Sequence, residues 1–199
     1  MEYSASMVSC LFWLQESRKT AELMQQGLSL AEIRAKAVAE NLYQVNAPDR
    51  ATRIAGVSYK RMSALSEQLR SQFIVSDVKT AKLILLLAIM KTDLLFYEFM
   101  HTVFKQSILL GEKRLSDRAT AVFFDTKIAE HTDVASFSES AIKKLKQTYI
   151  KILVEAEILS SAKEKIIQPP MVDYRLQHAV REAGMLPYLS ALTGEDCYE

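Results

Sequence analysis

The sequence predicts an all-α protein, a compact multi-helix globule, and three observations support this prediction. Apolar residues recur at three- and four-residue steps along most of the chain, which is the spacing of one face of a helix. The five glycines and four prolines mostly stand at the ends of these segments. Strand-like alternation of apolar and polar residues is nearly absent. The 199 residues suffice for one domain or two small intimate ones with an independent core.

Turn and capping residues set the helix boundaries. Four glycines follow apolar-periodic segments and predict left-handed helix ends, and Pro48 and Pro187 predict first helical turns. The glycines are Gly27, Gly111, Gly184 and Gly194. Two Ser-x-x-Glu capping boxes are predicted, with three simpler N-caps. The boxes are residues 29–32 and 136–139, and the caps are Ser76, Thr92 and Ser116.

Nine helices follow in chain order from these signals. They are expected near 8–26, 30–41, 48–72, 77–91, 93–110, 117–131, 137–157, 173–183 and 187–193. The longest apolar run, residues 83–90, is closed by Lys82 and Lys91. Because a membrane span needs about 20 apolar residues, we interpret this run as a helix buried on all sides and expect no membrane partner.

Two helix pairs repeat a similar layout. One runs from Ser29 to the helix beginning at Pro48, and the other from Ser116 to the helix beginning near Phe137. We therefore expect two helix-turn-helix-like units, one in a part spanning 1–75 and one in a part spanning 76–199, within one integrated globule. Two β-prone pieces at 157–160 and 165–168 leave open one short β-hairpin wing near 157–168.

The helix expected at 137–157 has two different faces. Its apolar stripe comprises Ile142, Leu145, Tyr149, Ile152, Leu153 and Ala156. The opposite face is basic, with no acidic residue between Glu139 and Glu155. Candidate phosphate contacts are Lys143, Lys144 and Lys151, and candidate readers of base edges are Ser140 and Gln147. Lys163 and Lys165 would lie on the wing.

The helix that begins at Pro48 is also basic. Arg53 and Lys60 share one face, with Gly56 between them allowing close backbone approach, and Arg50 and Arg61 flank that face. In helix-turn-helix proteins the second helix enters the major groove. The competing interpretation of both helices is an ordinary solvated surface. Net charge is only +1, so attraction to nucleic acid must come from local clustering.

Catalytic and metal-binding signals are absent from the sequence. His101, His131 and His178 lie far apart without a second ligand at metal spacing, and no phosphate-binding loop or nucleophile motif occurs. We expect no enzyme activity, cofactor, metal or small-molecule substrate. Only two cysteines, Cys10 and Cys197, are present, which fits a reducing cytoplasm.

Several short motifs together resemble one known family. They are Tyr3-Ser-Ala-Ser, residues 12–18 (Phe-Trp-Leu-Gln-Glu-Ser-Arg), residues 40–44 (Glu-Asn-Leu-Tyr-Gln), the Arg50, Arg53-Ile54, Arg61 series, and residues 156–159 (Ala-Glu-Ile-Leu) leading to Pro169. The chain resembles BrxA-type small core proteins of bacteriophage-exclusion (BREX) phage-defence systems over essentially its whole length. The resemblance implies an all-helical, non-enzymatic cytoplasmic protein that binds double-stranded DNA and acts with other subunits of the system.

The leading hypothesis is therefore a double-stranded DNA-binding accessory protein of an anti-phage system, docking through basic helices with limited sequence specificity. Two alternatives stay open: a protein–protein adaptor within the defence complex, and an RNA-binding module. Sustained heptads are lacking, which favours a monomer.

Overall fold

A computed structural model of the protein describes residues 2–195, and within this range it contains helices and no β-strand. A 3₁₀ turn at Ser6–Ser9 precedes the first α-helix. The α-helices are α1 (Leu14–Gln25), α2 (Leu30–Ala39), α3 (Pro48–Ser63), α4 (Glu67–Val75), α5 (Val78–Thr92), α6 (Leu94–Phe99), α7 (Lys105–Leu109), α8 (Asp117–Glu130), α9 (Thr132–Ala135), α10 (Glu139–Glu155), α11 (Tyr174–Glu182) and α12 (Leu186–Thr193). A π-helical turn, Met100–Phe104, joins α6 to α7. The all-α prediction is confirmed.

Two predicted helices are broken in the structure. The single helix expected at 48–72 is wrong, because α3 ends at Ser63 and Ser66 caps a new helix by accepting from the Leu69 amide at 3.2 Å. The helix expected at 8–26 begins only at Leu14. Trp13 before it is in the left-handed region with φ 54°, which no regular helix allows.

The predicted caps are confirmed at two places and displaced at three. Ser29 and Glu32 form the capping box, and Ser116 caps α8. The actual N-caps of three further helices lie one or two residues beyond those expected. Asp77 is the N-cap in place of the expected Ser76, Asp93 in place of Thr92, and Ser138 in place of Ser136. In the first two cases a carboxylate follows the hydroxyl, and it accepts the free amides instead.

Helix α5 lies at the centre of the molecule. Residues 83–90 are buried without exception, and α5 contacts α1, α3, α4, α6 and α12. The prediction of a helix buried on all sides is confirmed. Among residues 2–195, no helix combines the length and the apolar character that crossing a membrane requires.

The buried side chains form a large cluster and a smaller one. The smaller cluster joins α1, α2 and α3, with Ile33 of α2 and Ile54 of α3 completely buried. The larger cluster contains α5 together with an aromatic group in which Tyr149 of α10 meets Phe96 at 4.9 Å and Phe124 at 5.7 Å between ring centroids. Partly buried Met24 packs against both clusters, so the two adjoin. The expected division of the chain into a part spanning 1–75 and a part spanning 76–199 stays a prediction.

The predicted wing is a turn closed by isolated antiparallel bridges. Leu159 pairs with Ile167, and the Ser160 amide donates to the Ile166 carbonyl at 3.0 Å. A third segment joins them, because Arg114 also bridges to Ile166. The turn therefore lies against the chain that leads into α8.

Candidate nucleic-acid interface

Helix α10 has the two faces that its sequence predicts. The predicted apolar stripe is buried at every position, where it meets the aromatic group of the core. Four polar residues on the other side are exposed, namely Ser140, Lys143, Lys144 and Gln147. Because burial fixes one side of the helix, the basic residues at its N-terminal half have to face solvent.

The cations along α10 differ in their partners. Within residues 2–195, neither Lys143 nor Lys144 has a carboxylate within 4 Å. Lys151 is also exposed, but Glu155 lies 3.8 Å from its ammonium one turn further along. The sequence has no acidic residue between Glu139 and Glu155, but Glu155 itself partly neutralises the C-terminal end of the basic face. The unopposed charge is therefore concentrated at Lys143 and Lys144.

A cleft of about 280 Å³ lies between α8, α10 and the turn. Gln147 and Lys146 line it from α10, and Lys165 lines it from the turn. Two predicted elements, the basic helix and the wing, thus meet at one cleft. The charge of Lys165 is already matched there by an ion pair with Asp117 of α8. Lys163, at the tip of the turn, is exposed.

Three further cations near this cleft were missed by the sequence analysis. Lys113 accepts a hydrogen bond at its main-chain carbonyl from the Ile167 amide, and the Arg114 bridge holds the same segment on the turn. Lys113, Arg114 and Arg118 are all exposed. Their density in a six-residue stretch was visible in the sequence, but only the structure shows that this stretch adjoins the turn.

The second basic surface lies on α3. Arg50, Arg53 and Lys60 are exposed there, as the sequence predicts. The space above Gly56 is already filled by a residue of α2. A Cβ atom added to Gly56 would lie 2.9 Å from Nη2 of Arg34. Because Gly56 has no side chain, there is room for the guanidinium of Arg34 at this position. Arg34 was not among the residues predicted from the sequence, because its proximity to Gly56 is a tertiary contact.

Arg61 does not lie on this surface. Its side chain is only 2% exposed, and its Nη1 donates to the carbonyl oxygens of Leu11 and Phe12, both at 2.9 Å. Burial lowers the pKa of the guanidinium to about 10, so it stays charged at neutral pH. Arg61 holds the segment before α1 onto α3, and it is not available to a phosphate in this conformation.

A cleft of about 170 Å³ opens beside Gly56 and Lys60. Arg61, Asp93 and the Cys10 thiol line its inner part. Burial raises the pKa of the Asp93 carboxyl, although the Phe96 amide and the charges of Lys60 and Arg61 oppose the shift. Burial likewise raises the pKa of Cys10, which makes this thiol a poor nucleophile.

The histidines do not form a metal site in the described part of the chain. Among residues 2–195, no three His, Cys, Asp or Glu side chains are grouped so as to hold a metal ion. His131 instead contacts Tyr3, whose hydroxyl lies 3.2 Å from its Nε2 and donates to Glu98 at 2.9 Å. Lys127 completes this cluster through an ion pair with Glu98 at 2.9 Å. The cluster anchors the N-terminal segment to α6 and α8. Cys197 lies outside the described residues.

Comparison with known proteins identifies close relatives. Residues 1–184 match the model of the family described as BrxA. A BREX protein BrxA from Bacillus cereus (strain H3081.97) is 34% identical over 194 residues, covering 97% of each chain. A BREX protein BrxA from Escherichia coli O9:H4 (strain HS) is 22% identical over 181 residues, covering 91% of this chain and 85% of that protein. The fold is similar to the crystal structure of an uncharacterized protein from Magnetospirillum magneticum. That comparison has a TM-score of 0.86 at 17% identity, covering 98% of this chain and all of the other.

Proposed function

The chain belongs to the BrxA family of BREX phage-defence proteins, and from this premise we propose that it is a cytoplasmic, non-enzymatic accessory protein that binds double-stranded DNA. The observation that carries the proposal is the presence of unopposed cations on two separate helices. Arg53 and Lys60 on α3, and Lys143 and Lys144 on α10, are exposed with no carboxylate within 4 Å among residues 2–195. Cations free of internal partners are the ones that neutralise phosphates and release counterions.

Each basic helix follows another helix with which its side chains pack. Ile33 of α2 and Ile54 of α3 share a buried cluster, and Phe124 of α8 meets Tyr149 of α10. In a helix-turn-helix unit the first helix supports the second one against the duplex. The connections here differ from a tight turn, since residues 40–47 join α2 to α3 and the short helix α9 lies between α8 and α10. We propose a helix-turn-helix-like mode of docking without a compact turn.

The chemistry of the two surfaces favours phosphate tracking over reading of bases. On α10 the unopposed cations are lysines, which are point charges without the planar fork that recognises guanine. Gln147 is the one amide among the predicted base readers, and it already lines the cleft beside Lys165. The proposed binding therefore discriminates weakly between DNA sequences.

Competition binding tests this function. A fluorescent 20-base-pair duplex would be titrated with the full chain and then competed with unlabelled duplex, hairpin RNA and single-stranded DNA of equal phosphate content. The proposal expects unlabelled duplex to compete best, and random duplexes to compete within about tenfold of one another. Preferential competition by hairpin RNA would favour the RNA-binding alternative, and failure to retain any nucleic acid would contradict both.

One observation favours the adaptor alternative. Val75, Met171 and Tyr174 are 83%, 96% and 78% exposed, which is unusual for large apolar side chains. Val75 and Tyr174 line one cleft between α4 and the start of α11, and Met171 lines the neighbouring one. In this alternative, another subunit of a BREX system occupies this surface. The adaptor function predicts that a subunit co-purifies with the wild-type chain but not with the double variant Val75→Ser/Tyr174→Ser. If the wild-type chain also fails to bind duplex DNA, the adaptor function is selected.

A further inference from the structure

Three cations converge on Gly56 at the junction of α2 and α3. The Arg34 guanidinium occupies the place where any other residue at position 56 would carry its Cβ atom. Arg53 precedes Gly56 by three residues and Lys60 follows it by four. On a helix surface these are the nearest neighbours of position 56, with Cβ positions about 5–6 Å apart. The Arg34 guanidinium therefore lies over the helix position that adjoins both Arg53 and Lys60.

No acidic group balances this cluster at close range. Within residues 2–195, none of the three cations has a carboxylate within 4 Å, and the Arg34 guanidinium makes no hydrogen bond to another described residue. Asp93 lies on the inner wall of the cleft that Gly56 and Lys60 line, and Asp49 precedes Arg53 by about one helical turn. Like charges held together repel one another, so an anion placed among them is attracted by all three.

The geometry points to a discrete phosphate-binding site formed by Arg34, Arg53 and Lys60, in which Gly56 is the positioning residue that seats Arg34. The inference rests on the proposed function, which it deepens by assigning one phosphate group to one place. Arginine presents parallel N–H donors that match two phosphate oxygens, and lysine adds a compact charge. The same chemistry would accept a phosphodiester of a DNA backbone or a free phosphate compound.

The role of Gly56 separates binding from folding. Alanine at this position adds a methyl group at 2.9 Å from the end of a flexible side chain, so the arginine moves and the backbone does not. Alanine is also the better helix former. Gly56→Ala therefore keeps every charge, and it is expected to raise or leave unchanged the melting temperature while weakening the duplex affinity about fivefold.

A double-mutant cycle tests whether Gly56 acts through Arg34. Duplex affinities would be measured for wild type, Gly56→Ala, Arg34→Ala and the double variant, with Lys36→Ala as a matched loss of charge on α2. Lys36 is paired with Glu40 at 2.6 Å, so its removal should change affinity less than twofold. The site predicts that Gly56→Ala has no further effect once Arg34 is absent. Equal affinities of wild type and Gly56→Ala, or fully additive effects, would overturn it.

A second arm distinguishes the source of the phosphate and the failure of either proposal. Thermal stabilisation by pyrophosphate at low ionic strength would be compared in wild type and Arg34→Ala. Stabilisation of wild type alone, in a chain that binds no duplex, would support the site as one for free phosphate compounds while contradicting the DNA-binding function. If the chain binds duplex DNA but Gly56→Ala and Arg34→Ala do not change the affinity, the site is contradicted and the DNA-binding function is still supported. Absence of both responses would contradict both.

Discussion

Arg61 donates a hydrogen bond of 2.9 Å from its Nη1 to the main-chain oxygen of Phe12, across 49 residues of sequence. The bond ties α3 to the irregular segment before α1, beneath the surface that carries Arg53 and Lys60. Arg61 therefore has a structural role that the exposed cations of the same helix do not share. Of the four basic residues expected on that helix, Arg61 is buried, whereas Arg50, Arg53 and Lys60 are exposed.

Replacing Arg61 with methionine should destabilise the fold without weakening DNA binding by the folded protein. The variant leaves the carbonyl oxygens of Leu11 and Phe12 without their donor inside the protein, which costs about 2–4 kcal/mol of unfolding free energy. Urea unfolding measures the loss, and duplex titration below the midpoint measures affinity. A tenfold weaker affinity with unchanged stability would instead make Arg61 a DNA contact.

Removing the unopposed cations of α10 should weaken duplex binding. We expect Lys143→Ala/Lys144→Ala to lower the affinity about tenfold to a hundredfold at 100 mM salt, since about two phosphate contacts are lost. The matched control is Lys36→Ala/Lys82→Ala, which removes the same charge from lysines already paired with Glu40 and Glu157. If the control weakened binding as much, net charge would explain the effect and the α10 surface would lose its role.

The contrast between paired and unopposed lysines shows what the sequence could predict. The two faces of α10 follow from local periodicity, and all six residues of the apolar stripe are buried as expected. The Lys151–Glu155 pair is also local and could have been recognised from its four-residue spacing. The Lys165–Asp117 pair spans 48 residues, so no local pattern contains it.

At the N-terminal surface Arg61 was misassigned and Arg34 was missed, for two different reasons. Arg61 follows Ile54 by seven residues, and together with Ser58 and Met62 it lies on the buried stripe of α3. This spacing indicated a buried position for Arg61, but Arg61 was assigned to the basic surface because of its charge. Arg34 gave no such signal, because its contact with Gly56 depends on how α2 packs on α3. Sequence thus predicted the helices well and the composition of the site only partly.

Asp93 should make stability depend on pH in an unusual direction. Burial raises the pKa of its carboxyl, so the folded chain binds the proton more tightly than the unfolded chain does. The buried charge therefore lowers the unfolding free energy at neutral pH, and this loss disappears as the pH falls through the raised pKa. Asp93→Asn keeps a side-chain oxygen to cap the Phe96 amide and removes the charge.

We therefore expect Asp93→Asn to be more stable than wild type at pH 7, with a difference that shrinks as the pH is lowered to about 4. Urea unfolding of both proteins over this range measures the effect. A variant less stable than wild type at pH 7 would show that attraction to Lys60 and Arg61 outweighs the burial of the carboxylate.

The hydroxyl of Tyr149 should be dispensable for folding. It is buried in the aromatic group without a hydrogen-bond partner among the described residues. Tyr149→Phe removes only this unsatisfied group, so the unfolding free energy should stay equal or rise by up to about 1 kcal/mol. Tyr43→Phe is the control, because its hydroxyl lies 2.7 Å from Thr20 Oγ1 and its loss should cost about 1 kcal/mol. A destabilised Tyr149→Phe would reveal a partner for the hydroxyl.

The salt dependence of duplex binding tests the central claim most directly. If the site of Arg34, Arg53 and Lys60 neutralises one phosphate, and Lys143 and Lys144 neutralise one each, the logarithm of the association constant should fall with the logarithm of salt concentration at a slope of about −2.7. Lys143→Ala and Lys144→Ala should each reduce the slope by about 0.9, and so should removal of the whole three-cation site in Arg34→Ala/Arg53→Ala/Lys60→Ala. A slope near zero, or one that these substitutions leave unchanged, would contradict docking through the two basic surfaces.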